Sequence, residues 1–139
     1  MTVKTASIQL SSQGHGDTHD ITPLIQARLD ESELQAGTLT VFTPSSTSAI
    51  TTIEFESGAL ADFQRLFEEI AAQDRHYAHN ARWGDGNGHS HVRAALLGPS
   101  LSIPFMARRL TLGTWQQIIF VDFDNKTRQR ELIVQIIGE

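Results

Sequence analysis

A chain of 139 residues with 40% apolar and 19% charged positions fits one ordinary globular domain and leaves little room for a second. The absence of cysteine excludes a thiol nucleophile, a disulfide framework and a thiolate zinc site, and it is consistent with a reducing cytoplasm. A net charge of −5 argues against broad nucleic-acid binding but leaves room for one small anion at a focused site.

Residues 1–20 carry no basic stretch followed by an apolar core, so no signal peptide is expected, and the apolar runs are too short to cross a bilayer. The expectation is a soluble, cytoplasmic, single domain over residues 1–139. Val3–Leu10 alternates loosely and reads as a first strand. Thr22 and Pro23 read as the cap and first position of a helix that runs to about Leu34. Thr38–Thr43 and Ser48–Glu56 are β-branched runs on either side of Pro44-Ser45-Ser46, which predicts a hairpin. Ser57 reads as the cap of an amphipathic helix in which Leu60, Phe63, Phe67, Ile70 and Ala71 recur at three- and four-residue spacing. The segment His79–His89, with Gly84, Gly86 and Gly88 and almost no aliphatic residues, reads as a loop. Ser90 would then cap a short helix His91–Leu97, stopped by Gly98-Pro99. The remainder reads as strand: Leu101–Phe105, Arg109–Leu112, Thr114–Asp124 and Arg128–Ile137. The last two are joined by a hairpin turn at Asp124-Asn125-Lys126. Two to three helices with six or more strands predict an α+β fold on a mixed or antiparallel β-sheet.

Four of the six histidines fall within 76–91: His76, His79, His89 and His91. Neutral imidazole is the commonest metal ligand at physiological pH and also an acid–base group. His89 and His91 are two apart, which places both rings on one side of an extended segment. The glycines between would let the chain fold back so that His79 joins them. If Ser90 caps a helix, His91 sits at its positive end, which favours the neutral ring. The spacing matches no HExxH or cysteine-based zinc signature. On the residues alone, metal binding, metal-free anion binding or acid–base work, and plain loop histidines all stay open.

Two other groups of residues carry chemistry. Pro44-Ser45-Ser46-Thr47-Ser48, taken with Glu54, offers hydroxyls and backbone N–H groups that could hold a phosphate, against the simpler reading of a Ser/Thr-rich turn. Gly113-Thr114-Trp115-Gln116-Gln117 places a Trp and two amides at a strand start, where they could line a pocket or pack in the core. Arg93, Arg108 and Arg109 are candidate anion partners, although surface arginines are usually only solvated.

Several stretches together carry a resemblance. They are Tyr77-Ala78-His79-Asn80, NGHSHVRAALLGPSLSIPF at 87–105, LTLGTWQQI at 110–118, the Phe123-Asp124-Asn125 turn and the closing VQIIGE at 134–139. In these the chain resembles the YjbQ-like family, whose members are often described as secondary thiamine-phosphate synthases. The resemblance covers residues 37–139 and, more loosely, the first 36. It implies an α+β fold, a homotrimer and a histidine-rich site with a divalent metal, zinc being expected. His79, His89 and His91 would then form a three-histidine face of the kind found in open catalytic zinc sites. Family members commonly carry an HTSA-type motif where this chain reads Ser46-Thr47-Ser48-Ala49, so Ser46 stands in place of a histidine.

The implied reaction joins a pyrimidine diphosphate to a thiazole phosphate and releases pyrophosphate. Ser46, Thr47, Ser48 or Arg93 would hold phosphate oxygens, and Trp115, beside Gln116, would stack on a heteroaromatic ring. Glu54, if it turns into the site, is the candidate general base or an orienting partner, with His91 as the other catalytic group. Two further readings compete. One is a trimeric metal- or metabolite-binding module without turnover, and the other is a metal-dependent hydrolase of a phosphate or acyl substrate.

Overall fold

In the computed structural model, which describes residues 1–139, eight strands and four helices follow one another along the chain. They are β1 (Thr2–Ser12), β2 (Asp17–Asp20), α1 (Thr22–Ser32), β3 (Ala36–Phe42), β4 (Ser48–Ile53) and α2 (Ser57–Ile70). Then come α3 (Ala78–Trp83), α4 (Gly88–Leu97), β5 (Ser100–Met106), β6 (Arg109–Leu110), β7 (Gln117–Asp122) and β8 (Arg128–Gly138). The strands form two sheets of order β1-β8-β3-β5-β6 and β2-β7-β4, and every pairing is antiparallel. The α+β expectation holds, with one or two more helices than the sequence suggests. No helix is long and apolar enough to cross a membrane.

The period-2 alternation of β-strands decides which face each residue takes. Leu132, Val134 and Ile136 of β8 point inward beside Leu39 and Val41 of β3, with Leu39 opposite Ile136 and Val41 opposite Val134. Ile25 and Leu29 of α1 and Ile50, Ile118 and Phe120 of the small sheet complete this core. The other face of the small sheet, Ala49, Ile119 and Val121, packs on Phe67 of α2 and Ala94 of α4. The small sheet is therefore an interior layer, which explains the unbroken apolar run Ile118–Val121. Each fully buried Ile, Val or Phe there contributes about 1.5–3 kcal/mol.

Both expected hairpins are absent. β3 and β4 lie in different sheets, and so do β7 and β8. The short connections 43–47 and 123–127 are crossovers from one layer to the other. A β7–β8 hairpin would have to displace β1 or β3, the two strands already paired to β8, and would take β7, apolar on both faces, out of the interior layer. The crossovers meet where the Phe123 N–H donates to the Thr47 carbonyl at 2.9 Å.

The segment read as a loop is also partly helical. Ala78–Trp83 forms α3, closed by Gly84 at φ 70, where a left-handed residue satisfies the Asn80 carbonyl. α4 starts at Gly88, three residues before the expected start, with Asn87 at the cap position. A Cβ on Gly88 would sit 2.5 Å from the Tyr77 Cβ, so this glycine permits the close approach of the two segments. The Gly88 N–H is in turn bound by Asn80 Oδ1 at 2.8 Å.

Candidate functional site

A cleft of about 480 Å³ opens where the two crossovers meet α3 and the first turn of α4. His79 comes from α3 and His91 from α4, and their ring centroids are 4.3 Å apart with a 43° tilt. Asp85 Oδ1 lies 3.3 Å from His79 Nδ1. The alignment is too poor for a hydrogen bond, and Nδ1 stays buried without a partner. His91 holds its proton less tightly than an ordinary imidazole. Burial is the main cause and the neighbouring His79 ring adds to it, with Asp85 and Asp124 opposing. His91 therefore stands as a neutral ring at pH 7.

The opposite wall is built by the crossovers. Asp124 is buried and accepts from Asn125 N at 2.8 Å, Arg128 Nε at 3.0 Å, Thr47 Oγ1 at 3.2 Å and Asn87 Nδ2 at 3.3 Å. Burial alone would raise its carboxyl. The donors from Asn125, Asn87 and Arg128 outweigh that and hold it below the ordinary carboxylate range. Arg130 grips Asp122 through Nε at 2.8 Å and Nη2 at 3.1 Å, and Nη2 also reaches Thr47 Oγ1 at 3.0 Å. Arg128 is different: it borders the cleft with only its Nε engaged, and its terminal nitrogens have no protein acceptor. Ser46 is exposed on the same wall. Ser48 is buried against Thr43 Oγ1 at 2.8 Å and borders an adjoining hollow shared with His91.

The tertiary structure brings Ser46, Thr47 and Ser48 together with His79 and His91, but it separates His89 from them. Because α4 begins at Gly88, His89 and His91 lie on a helix, where residues two apart point about 200° away from each other. The expectation of a shared face rested on extended backbone. His89 is only 2% exposed, and its Nδ1 has no partner. Burial first, then the Arg93 charge, push its proton affinity down.

Arg93 is also withdrawn from the cleft. It is buried between α2 and α4, donating through Nε to the Ala71 carbonyl at 3.0 Å and through Nη2 to Glu68 Oε2 at 2.7 Å. It ties the two helices together and does not line the cleft.

Glu54, Trp115 and Gln116 lie at the far end of the small sheet. Ser48 and Glu54 are six residues apart along an extended chain, about 20 Å at ~3.3 Å per residue. Glu54 and the 72% exposed Trp115 border a separate hollow with Asp20 and Glu56. Gln116 is held by Thr52 Oγ1 at 3.2 Å. None of the three lines a cleft with His91.

Sequence reasoning missed Trp83, Asp85, Asn87, Asp124, Arg128 and Arg130, all of which border the cleft. One signal was present. Asp122 and Asp124 alternate into a buried strand end, and Arg128 and Arg130 repeat that spacing after the turn. Two acids and two bases mirrored about a turn mark a buried ion-pair cluster.

As the side chains stand, no three imidazole or carboxylate groups converge on one point. The chemistry of the residues nevertheless suits a divalent ion, with the imidazoles of His79 and His91 side by side. His79 Nδ1 has no hydrogen-bond partner, and Asp85 Oδ1 lies 3.3 Å from it, where a carboxylate could steady a ring that binds metal through its other nitrogen.

The sequence profile of the UPF0047 protein YjbQ-like family matches residues 6–139. A UPF0047 protein of Methanothermobacter thermautotrophicus is 37% identical over 139 residues, covering 100% of this chain and 95% of that protein. The crystal structure of a YbjQ-like protein of unknown function from Sulfolobus solfataricus P2 superposes with a TM-score of 0.94 at 30% identity, over 99% of both chains. A hypothetical protein from Aeropyrum pernix K1 superposes with a TM-score of 0.90 at 29% identity, over 98% of this chain and 99% of that one. With matches that run the length of the chain in both sequence and fold, the protein belongs to the UPF0047 YjbQ-like family.

Proposed function

We propose that the cleft binds a small phosphorylated molecule beside a divalent metal, zinc by preference, with His79 and His91 as the protein ligands. The observation that carries this reading is the pair of imidazoles at 4.3 Å, one with an unpartnered buried nitrogen, facing a wall of hydroxyls and a half-free guanidinium. Asp85, 3.3 Å from His79 Nδ1, would steady that ring once a metal binds its other nitrogen, the role that carboxylates play behind metal-bound imidazoles. Ser46 and the terminal nitrogens of Arg128 are the donors for phosphate oxygens, charge-assisted in the case of arginine. The bound metal would supply charge neutralisation for a departing phosphate or pyrophosphate. The reaction that fits the resemblance is a transfer of the thiamine-phosphate-synthase kind, with a homotrimer as the assembly.

One observation favours a second reading, a binding module without turnover. Asp124 is fully occupied by its donors and Glu54 lies at the other end of the sheet, so the cleft holds no free buried carboxylate to act as base.

The test is zinc affinity by competition with a chromogenic chelator, followed by calorimetric titration with pyrophosphate. His79→Ala and His91→Ala are expected to abolish zinc binding. His89→Phe is expected to leave it intact. Protein that takes up no metal after reconstitution sinks the metal half, and absence of pyrophosphate binding sinks the phosphate half. Sedimentation as a monomer would remove the trimer.

A further inference from the structure

We infer that the hollow adjoining the cleft receives a short saturated carbon chain, so that the site takes phosphate monoesters of small aliphatic alcohols. The inference rests on the phosphate-binding reading and adds the chemical class of the group that carries the phosphate.

The hollow measures about 340 Å³ and is walled by α4 and the β3–β4 crossover. It shares Ser45, Ser46 and His91 with the cleft, so the two spaces adjoin along a common wall. His91, Ala94 and Ala95 stand three and four residues apart on α4 and present one face to it. Pro99 borders it beyond the end of the helix.

The polar side chains of this lining are mostly engaged elsewhere. Ser48 Oγ is 2.8 Å from Thr43 Oγ1, and Ser45 Oγ accepts from the Thr47 N–H at 3.2 Å. No charged side chain borders the hollow, since His91 is a neutral ring at pH 7. The remaining surface comes from two alanines and a proline, whose side chains make no hydrogen bonds. Water in such a space is weakly held, and an apolar group that displaces it gains affinity. A second phosphate or an ammonium group finds no counter-charge there.

The cleft asks for the opposite chemistry. Arg128 and Ser46 on its crossover wall offer donors to phosphate oxygens. A ligand with its phosphate in the cleft and a few methylenes in the hollow places each part against matching groups. The volume lies near the lower end of the range for small-molecule sites, roughly 300–1,000 Å³, which suits a chain of a few carbons.

The experiment titrates the full chain, with zinc added, with methyl, ethyl and propyl phosphate by calorimetry, beside pyrophosphate. Affinity is expected to rise about fourfold with each added carbon, the scale of one methylene taken out of water. Ala95→Leu fills the hollow and should flatten the series. Ala95→Ser changes the same residue without filling the space and should keep the rise. Ala95 is exposed on its helix and leucine is a good helix former, so the fold is preserved. Equal affinities across the wild-type series, or binding of pyrophosphate alone, overturn the inference and leave the phosphate reading standing. A rise that survives Ala95→Leu overturns it too, because the carbon chain then lies elsewhere. If neither pyrophosphate nor any alkyl phosphate binds, both readings fall together.

Discussion

Thr47 Oγ1 donates to Asp124 Oδ2 at 3.2 Å, and this bond joins the two places where the chain leaves one sheet for the other. Thr47 belongs to the β3–β4 crossover and Asp124 to the β7–β8 crossover. Arg130 and Arg128 brace the contact from β8, and Asn87 braces it from the start of α4. The wall of the cleft is thus the joint between the layers, and its rigidity comes from buried, paired charge.

Removing Asp124 should therefore cost stability before it affects binding. Asp124→Ala leaves the buried Asn87 and Thr47 without their acceptor, whereas the Arg128 side chain is 39% exposed and can be solvated. The expected loss is about 1–3 kcal/mol, the scale for leaving buried polar groups unsatisfied, with little added for a partly exposed ion pair. Denaturant unfolding measures it, and a loss below about 1 kcal/mol would mean the joint is held by the apolar layers alone.

Asp85 stands close to His79 but is half exposed, so its role separates from folding. Asp85→Asn is expected to weaken zinc binding by about 10–100-fold with an unchanged melting temperature. Unaltered affinity would show that His79 is positioned by α3 without help from the carboxylate.

Ser46 lines the same cleft as His79 and His91. Ser46→His should add a third imidazole and tighten zinc binding at least tenfold, since three protein ligands are the usual complement of an open zinc site. The competition assay decides it. No gain would mean the residue-46 side chain points away from the pair when a metal is bound.

Arg93 provides the opposite control. Arg93→Met removes the donor to the Ala71 carbonyl and to Glu68, and it should lower stability by about 1–3 kcal/mol. Pyrophosphate affinity should not change. A drop in affinity with stability intact would return Arg93 to the ligand set.

The buried His89 and the partly buried His91 make stability depend on pH. Both hold their protons less tightly than usual, chiefly through burial, with Arg93 adding at His89 and His79 adding at His91. Below the ordinary value of about 6.5, the unfolded chain therefore binds more protons than the folded one. Their contribution is complete above about pH 6.5 and is lost as pH falls through the lowered folded values. Each proton can steepen the dependence by up to ~1.4 kcal/mol per pH unit. The unfolding midpoint should fall as pH is lowered below about 6.5, and His89→Phe should flatten that fall. A midpoint that rises on acidification contradicts this account.

Local pattern made much of the fold legible. The alternation of Val3–Leu10 and Arg128–Ile137, the 3.6-residue period of Leu60, Phe63 and Phe67, and the Gly98-Pro99 stop each depend on neighbouring residues, and each element stands where that logic places it. The expected hairpins failed because strand pairing is not local. β7 needs apolar partners on both faces, and only the interior layer supplies them.

The same division runs through the site. From its residues the chain declared a histidine-rich segment and a hydroxyl-rich turn, because imidazoles and hydroxyls are visible one residue at a time. Which of them meet was decided by the tertiary structure. A helix that begins at Gly88 instead of His91 turns His89 into the interior and leaves His91 to face His79. Two crossovers, invisible to any short window, carry Ser46 and Arg128 to that pair and leave Glu54 and Trp115 at the other end of the sheet. Composition names the groups that can do chemistry, while backbone periodicity and layer packing determine which of them share one cleft.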